Sequence, residues 1–283
     1  MKIITSTDNE WIRRVSRLKE KRGRDRQARY LVEGPNLVRE ALDFRAGVDF
    51  VLFCGDETGL SGELRELRRA AEKSGAESVF AGPAVFRRLS DTETPQGVIA
   101  VVRKALWDEE ALFRKNASRP WGNILVLDRL QDPGNAGVVV RTADAAGYGG
   151  IVAVKGTADV YSPKAVRAAA GALFRLPVMD GLEASAALSI LARRNKTLVA
   201  TAAGGTVCVY DADLRRDIAL IVGNEGNGLG AEFRRGVHLT VSIPMQRGAE
   251  SLNASVAASI FMFESLRQNR WSGRDDSGAP NGV

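Results

Sequence analysis

Short apolar segments alternate with helical segments along most of this chain, and this alternation restricts the fold more than any other sequence feature. In the first part the pattern predicts strands at 30–34, 48–54, 77–81 and 97–102 and helices at 35–45, 61–73 and 83–89. It then predicts strands at 123–127, 151–154, 197–201, 218–222 and 238–243, with helices at 135–147, 162–170, 183–193 and 251–268. Such alternation is typical of α/β domains.

The alternation is interrupted once, and the interruption divides the chain. Residues 104–120 are charged and end in Ser-Arg-Pro-Trp, which indicates a linker. The 283 residues therefore divide into an N-terminal α/β domain at 1–103 and a C-terminal α/β domain at 121–271. The tail at 272–283 is rich in Gly, Ser, Pro and Asp and is expected to be disordered.

The positive charge is concentrated at the N-terminus. Residues 1–30 hold ten Lys or Arg and four Asp or Glu, a difference of +6 that equals the net charge of the whole chain. Ile12, Val15 and Leu18 recur at helical spacing, so a helix is expected over 5–29. A basic arm on a neutral body favours contact with a nucleic acid, although a solvated helix face is the alternative.

Several classes of protein are excluded by what the sequence lacks. No apolar run is long enough to span a bilayer, and the first twenty residues do not resemble a signal peptide, so a cytoplasmic protein is expected. Cys54 and Cys208 lie far apart, and His238 is the single histidine. This set offers neither a zinc-ligand pattern nor a Ser-His catalytic pair, so no metal is expected.

Three polar loops follow apolar strands of the C-terminal domain. The first carries Asn135 and Arg141, the second Glu225, and the third Ser251 and Asn253. Ligands bind where the carboxyl ends of parallel strands converge, so these loops are expected to form one site. The glycines after Val222 do not form a P-loop, because no Gly-Lys-Ser/Thr follows, and they do not form a dinucleotide fingerprint, because their spacing is wrong.

The third loop opens with Ile-Pro-Met at 243–245 and leads into the last helix. Ser251 is expected to cap that helix, because a serine here precedes a run with helical spacing. The apolar members of that run are Leu252, Val256, Ile260 and Phe263.

Together these stretches closely resemble the motifs of the SpoU, or TrmH-like, RNA 2′-O-methyltransferases of the SPOUT superfamily. The matching segments are Asn-Ala-Gly-Val-Val-Val-Arg-Thr-Ala-Asp from 135, Leu-Ile-Val-Gly-Asn-Glu-Gly-Asn-Gly-Leu-Gly from 220, Ile-Pro-Met from 243 and Ser-Leu-Asn-Ala-Ser from 251. Tyr-Leu-Val-Glu-Gly-Pro-Asn from 30 and Thr-Pro-Gln-Gly-Val from 94 resemble, more weakly, a ribosomal-protein-like RNA-binding domain.

The resemblance implies a fold, a cofactor and a set of site residues. It implies a deep trefoil knot in the C-terminal domain, a homodimer and S-adenosylmethionine as cofactor. By the resemblance, the cofactor-binding positions are Thr201, Gly223, Ile243, Met245 and Leu252. The catalytic and substrate-binding positions are Asn135, Arg141, Glu225, Ser251 and Asn253.

The implied reaction methylates a ribose 2′-hydroxyl, with large-subunit rRNA as the favoured substrate and guanosine as the favoured nucleotide. The alternatives are a drug-resistance enzyme that modifies an rRNA adenosine, a tRNA methyltransferase, and an RNA-binding protein without activity. Family proposals assign Arg141 as the base. Because a guanidinium stays protonated near neutrality, we expect Arg141 to clamp a phosphate instead.

Overall fold

The computed structural model describes residues 3–202, 204–247 and 251–271, so the tail predicted at 272–283 lies outside the described residues. The chain forms two compact units. The first contains the described residues up to Leu106 together with Asp132–Arg141 and Asp159–Arg175. The second contains Trp107–Gln131, Thr142–Ala158 and the described residues from Leu176 onward.

Twelve strands and eleven α-helices are present in the described residues. The strands are β1 (Ile3–Ile4), β2 (Arg29–Glu33), β3 (Val48–Cys54), β4 (Glu77–Ala81), β5 (Val98–Arg103), β6 (Ile124–Leu127), β7 (Gly150–Val154), β8 (Val178–Leu182), β9 (Thr197–Thr201), β10 (Val207–Cys208), β11 (Ile218–Val222) and β12 (Leu239–Ser242). The helices are α1 (Glu10–Ser16), α2 (Lys21–Gln27), α3 (Pro35–Asp43), α4 (Gly62–Ser74), α5 (Pro83–Leu89), α6 (Glu109–Phe113), α7 (Pro133–Ala145), α8 (Pro163–Ala169), α9 (Ala184–Arg193), α10 (Ala231–Gly236) and α11 (Ala254–Trp271).

The first unit is built on a five-stranded mixed sheet in the order β1-β4-β3-β5-β2. Strand β5 runs antiparallel to both β2 and β3, whereas β1, β3 and β4 are parallel to each other. Ile12, Val15 and Leu18 from the N-terminal segment join a buried cluster with Leu52 and Leu89. The α/β class predicted for this region is confirmed.

The single helix predicted over 5–29 is wrong. Helix α1 ends at Ser16, a short 3₁₀ turn follows, and α2 begins at Lys21 after Glu20 adopts an extended conformation with φ −101° and ψ 143°. A Cβ on Gly23 would lie 1.9 Å from the carbonyl oxygen of Arg17, so the chain folds back on itself here. Apolar spacing alone does not detect such a break, because Ile12, Val15 and Leu18 all precede Glu20 and α2 has no apolar side chain that continues the pattern.

Arg24 belongs to the core of the first unit rather than to its basic surface. Its guanidinium forms a buried ion pair with Asp159 at 2.6 Å, and one of its nitrogens also donates to the carbonyls of Leu18 and Lys19. Nearby, the rings of Tyr30 and Tyr161 lie 5.0 Å apart. These contacts hold Asp159–Arg175 within the same unit as the N-terminal helices.

The second unit contains a seven-stranded, all-parallel sheet in the order β10-β12-β9-β11-β6-β7-β8. All residues of β6, β7 and β11 are buried, which explains why these segments read as continuous apolar runs. The sequence analysis did not predict β8, β10 or α10. Within residues 104–120 the structure forms α6, whose Leu112 is fully buried.

Helix α11 begins later than predicted, and Ser251 does not cap it. The side-chain oxygen of Asn253 accepts from the amides of Ser255 at 2.9 Å and Val256 at 3.4 Å, so Asn253 is the N-cap. Ser251 and Leu252 precede the helix and are exposed.

The buried face of α11 also differs from the predicted apolar run. Val256 and Phe263 are 48% and 50% exposed, whereas Ala258, Phe261 and Met262 are buried. Polar side chains secure the second half of the helix. Ser265 donates to the carbonyl of Leu214 at 2.6 Å, and Gln268 bonds the backbone of Leu214 and Ala212. In the described part of the chain, no helix combines the length and the apolar character needed to cross a membrane.

Candidate functional site

A cavity of about 870 Å³ opens beside the carboxyl ends of β9, β11 and β12. These ends lie level, because Ile221 pairs with Ala200 and Val241 pairs with Thr201 across the parallel sheet. The lining residues are Thr201, Ala202, Val222, Gly223, Asn224, Glu225, Gly228, Leu229, Arg234, Val237, Thr240, Ile243, Met245, Ser251, Leu252, Asn253, Ala254, Ala257 and Phe261. The size and the mixed lining suit a small organic ligand with polar groups.

Most of the site residues expected from the sequence line this cavity. The members of the expected set found there are Thr201, Gly223, Glu225, Ile243, Met245, Ser251, Leu252 and Asn253. Asn135 and Arg141 lie on the part of α7 that belongs to the first unit. The structure therefore brings the second and third polar loops together, and the roles of all ten residues stay predictions.

The loop at 223–230 forms a closed turn because of Asn224. The backbone of Asn224 exchanges hydrogen bonds with that of Gly228, at 3.0 and 2.9 Å, and its side-chain oxygen accepts from the amides of Gly226 and Asn227. A Cβ on Gly223 would lie 2.7 Å from the carbonyl carbon of Gly228. A residue without a side chain is therefore required where this turn closes.

Three hydrogen bonds attach the loop to the chain that follows β6. Buried Asp128 accepts from the amide of Gly230 at 2.5 Å. The side chain of Asn224 donates to the carbonyl of Arg129 at 3.0 Å, and a carboxylate oxygen of Glu225 accepts from the amide of Gln131 at 3.1 Å. Together these bonds fix the position of the Glu225 backbone and restrict its carboxylate.

Sequence reasoning missed these supporting residues. Asp128 and Gln131 precede the first matched segment, which begins at 135, and neither has a local pattern that marks it as a loop anchor. Their partners lie about a hundred residues away in sequence, so only the folded chain reveals the contacts.

Helix α7 starts at Pro133 and is capped by Asp132, whose side chain accepts from the amide of Asn135 at 2.8 Å. The Lys164 ammonium, 2.6 Å away, and the Asn135 amide hold the pKa of Asp132 below its usual value despite some burial. The sequence signal for this start is Asp followed by Pro, a cap before the first helical position, and it lies just before the helix predicted from 135.

A glycine lets α7 approach α8 closely in the first unit. A Cβ on Gly137 would lie 2.4 Å from the carbonyl oxygen of Ala165. The flanking Val139 and Val140 are fully buried, whereas Arg141 is exposed. The apolar residues beside Arg141 therefore anchor the helix and leave its guanidinium accessible.

The charges at the cavity are sparse. Among its described lining residues, Glu225 is the single carboxylate and Arg234 is the single cation. No cluster of His, Cys, Asp or Glu that could hold a metal ion is found in the residues that the structure describes. The cavity therefore offers one group of each sign, with the remaining contacts from backbone, hydroxyl, amide and apolar groups.

The parallel sheet, with a glycine-rich pocket at its carboxyl edge, defines a ligand-binding α/β domain that accompanies a separate small α/β domain. Residues 122–263 match the model of the SpoU rRNA Methylase family, and residues 9–100 match the MRM3-like substrate binding domain. The chain belongs to the SpoU rRNA methylase family.

Two relatives are similar along nearly their whole length. The 23S rRNA (guanosine(2553)-2′-O)-methyltransferase RlmP of Bacillus subtilis is 33% identical over 263 residues, which cover 93% of this chain and 98% of the relative. The 23S rRNA (uridine(2479)-2′-O)-methyltransferase of Streptomyces viridochromogenes is 35% identical over 281 residues, which cover 96% and 93%.

Solved structures agree with these matches. The SpoU methyltransferase AviRb from Streptomyces viridochromogenes, in complex with the cofactor AdoMet, superposes with a TM-score of 0.84 at 32% identity, covering 94% of this chain and 100% of that chain. The AdoMet-bound rRNA methyltransferase from Sinorhizobium meliloti gives a TM-score of 0.81 at 27% identity, covering 94% and 98%.

Proposed function

We propose that this protein is an S-adenosylmethionine-dependent methyltransferase that methylates a ribose 2′-hydroxyl of 23S rRNA. One observation carries the proposal: the cavity at the carboxyl edge of the parallel sheet is lined by the cofactor positions expected from the sequence. The family match and the names of the two relatives, both 2′-O-methyltransferases of 23S rRNA, support the reaction and the substrate.

The residues of the cavity fit the cofactor. Gly223 and Gly228 present backbone with no side-chain bulk, and Ile243 and Leu252 supply apolar contacts. When bound, S-adenosylmethionine supplies an electrophilic methyl group on a sulfonium. The carboxylate of Glu225 provides the negative charge that such a cation favours, since opposite charges attract.

When bound, the cofactor would supply its methyl group to the ribose oxygen and would be left as S-adenosylhomocysteine, and the hydroxyl proton would pass to water. Arg141 clamps the phosphate beside the target ribose and orients the hydroxyl, because a guanidinium binds phosphate through two parallel hydrogen bonds. Asn135 fixes this part of the substrate, and Ser251 and Asn253 shape the pocket in which the ribose is held.

Arg141→Lys tests the clamp. Lysine keeps the charge but loses the paired geometry, so we expect methyl transfer to fall by about 100-fold or more, an effect typical of misplaced catalytic groups. Binding of S-adenosylhomocysteine, measured by calorimetry, is the control and should not change. Near-normal turnover in Arg141→Lys would show that the clamp is wrong.

Guanosine remains the favoured nucleotide, as in the Bacillus subtilis relative, whereas the Streptomyces relative is named for a uridine. An adenosine-specific resistance enzyme and a tRNA methyltransferase are the alternatives. The separate substrate-binding domain at residues 9–100 favours ribosomal RNA over tRNA.

The N-terminal basic surface contributes electrostatic affinity for the RNA backbone. Arg13, Arg17, Arg22 and Arg26 are exposed, and no ion pair is described for any of them. Deleting residues 1–28 would remove Leu18 and other buried core residues, so substitution is the better test.

We expect the double substitution of Arg13 and Arg17 by Gln to weaken RNA binding and to reduce the slope of log affinity against log salt by about one to two, since each phosphate contact contributes about 0.7–0.9. The matched control replaces Arg69 and Lys73, exposed on α4 of the same unit, by Gln. Equal effects of the two pairs would show that general charge, rather than the N-terminal surface, determines affinity.

The protein acts as a homodimer. The exposed Val256 and Phe263 on α11 support this proposal, because apolar side chains on one helix face favour burial against a second copy. Sedimentation at micromolar concentration should give twice the chain mass, and a monomer would contradict the proposal.

The remaining parts of the proposal concern the domains and the location of the protein. Residues 1–103 form the RNA substrate-binding domain, residues 104–120 the linker and residues 121–271 the catalytic domain. The catalytic domain is knotted, and the protein works in the cytoplasm.

The direct test of the proposed function is transfer of a labelled methyl group from S-adenosylmethionine to protein-free 23S rRNA, with bulk tRNA in parallel. Label in the 23S rRNA alone is the expected result. Label in tRNA alone would keep the chemistry and overturn the substrate. Binding of the cofactor without label in either RNA would favour a non-catalytic RNA-binding protein.

A further inference from the structure

We propose that Arg234 binds the carboxylate of the methionine part of the cofactor and thereby distinguishes the complete amino-acid end from truncated analogues. This inference rests on the proposed function, and it adds a binding residue outside the ten that the sequence indicated. It starts from the charges at the cavity, where Arg234 is the single cation among the described lining residues.

The amino-acid end of S-adenosylmethionine carries one negative and two positive groups. The carboxylate is anionic, whereas the α-ammonium and the sulfonium are cationic. Glu225 has the sign that suits the cations, and Arg234 has the sign that suits the carboxylate. A guanidinium also matches a carboxylate in shape, because two parallel N–H groups meet its two oxygens.

The side chain of Arg234 is held in place by its own loop. One guanidinium nitrogen donates to the carbonyl of Leu229 at 2.9 Å, and Leu229 is itself a lining residue. Among the residues that the structure describes, no carboxylate forms an ion pair with the Arg234 guanidinium. Tethering one nitrogen reduces the conformational freedom that the side chain loses on binding, which favours affinity.

The backbone below Arg234 is fixed as well. Its amide donates to the carbonyl of Gly230 at 2.9 Å, and the amide of Gly230 donates to buried Asp128. The preceding residue, Phe233, is fully buried in the core of the second unit. Arg234 therefore belongs to a short helix whose start is anchored, and it lines a cavity whose loop is also anchored.

Arg235 provides a matched control. It is the next residue of α10, it is exposed like Arg234, and it is not among the residues that line the cavity. Replacing either arginine by glutamine removes the same charge from the same helix. A long-range effect of net charge would appear in both variants, and a direct contact in Arg234→Gln alone.

The experiment compares two ligands by isothermal titration calorimetry. S-Adenosylhomocysteine has the carboxylate, and S-adenosyl-3-thiopropylamine keeps the amine but lacks the carboxylate. We expect Arg234→Gln to weaken binding of the first about tenfold, the lower range for a charge-assisted hydrogen bond at an exposed site, and to leave the second unchanged. Arg235→Gln should bind both as the wild type does, and Arg234→Lys should recover part of the lost affinity.

Two results would overturn the assignment while leaving the proposed function intact. Equal weakening of both ligands would mean that Arg234 only shapes the cavity. Unchanged binding of both, with weaker binding of RNA, would mean that Arg234 contacts a phosphate of the substrate. If the wild type bound neither ligand, the proposed function would fail together with this inference.

Discussion

Replacing Gly223 by alanine tests whether the closed loop at 223–230 is needed for cofactor binding. The new Cβ would lie 2.7 and 2.8 Å from the carbonyl carbon and oxygen of Gly228 and 2.9 Å from the amide nitrogen of Leu229. All three are backbone atoms, so no side chain can rotate away. The turn that Asn224 and Gly228 close must therefore open or shift.

The size of the effect follows from this overlap. Inserting a methyl group into a packed site costs about 1–3 kcal/mol. If opening of the loop relieves the strain, the closed form that binds the cofactor becomes less stable than the open form by the same free energy. The affinity for S-adenosylhomocysteine should then fall by about 5- to 150-fold. Calorimetry measures this loss, and urea unfolding checks that the variant is folded.

Gly226→Ala is the control in the same loop. A Cβ at Gly226 would lie 3.7 Å from its nearest neighbour, the side-chain oxygen of Asn224, which is an ordinary contact. This variant should bind the cofactor like the wild type. The reasoning would be refuted if Gly223→Ala bound S-adenosylhomocysteine normally, or if Gly226→Ala lost as much affinity.

Two further predictions concern stability and are measured by urea unfolding. Lys196→Met should lower the free energy of unfolding by about 1–3 kcal/mol, because buried Lys196 donates to Asp217 at 2.6 Å. Lys115→Met breaks an exposed pair with Asp217 and should lower the free energy of unfolding by less than about 1 kcal/mol. Equal losses in the two variants would contradict the argument. A hydrogen bond from Arg215 lowers the pKa of Asp213 from 3.8 to about 2, so the stability that this carboxylate contributes is complete above pH 3.8 and is lost as the pH falls toward 2. Asp213→Asn should therefore flatten the decline of stability between these pH values, and an unchanged slope would count against the ion pair.

The positions of the buried strands could be predicted because each is a continuous apolar run between turn residues. Strand β11 was predicted at 218–222 and is observed at Ile218–Val222, since both faces of a central parallel strand require apolar side chains. The convergence of parallel strand ends placed Glu225, Ser251 and Asn253 at one edge, and all three line one cavity.

The contacts that support the site could not be predicted. Asp128 and Gly230 are about a hundred residues apart in sequence, and the hydrogen bond between them depends on the pairing of β6 with β11. Arg234 follows the matched glycine loop on a short helix that the sequence analysis did not predict. The sequence around Asp128 and Arg234 contains no local pattern that marks these residues as part of the site.

Helix α11 shows where periodicity is insufficient. Its apolar spacing predicted a helix, but Val256 and Phe263 are exposed and Ser265 is buried. The spacing of apolar residues reveals which side chains share a face, and it does not reveal what covers that face. Ser265 and Gln268, buried polar residues of this helix, donate to the backbone carbonyls of Leu214 and Ala212, which the pattern of hydrophobicity cannot show.

The measurement that tests the central claim most directly is the identity of the modified nucleoside. Protein-free 23S rRNA is methylated with labelled S-adenosylmethionine, digested to nucleosides and analysed by mass spectrometry. The account predicts label only in a 2′-O-methyl nucleoside, with the methyl group on the ribose fragment, and 2′-O-methylguanosine as the favoured product. Label on the base fragment would contradict the assignment of the ribose hydroxyl as the methyl acceptor.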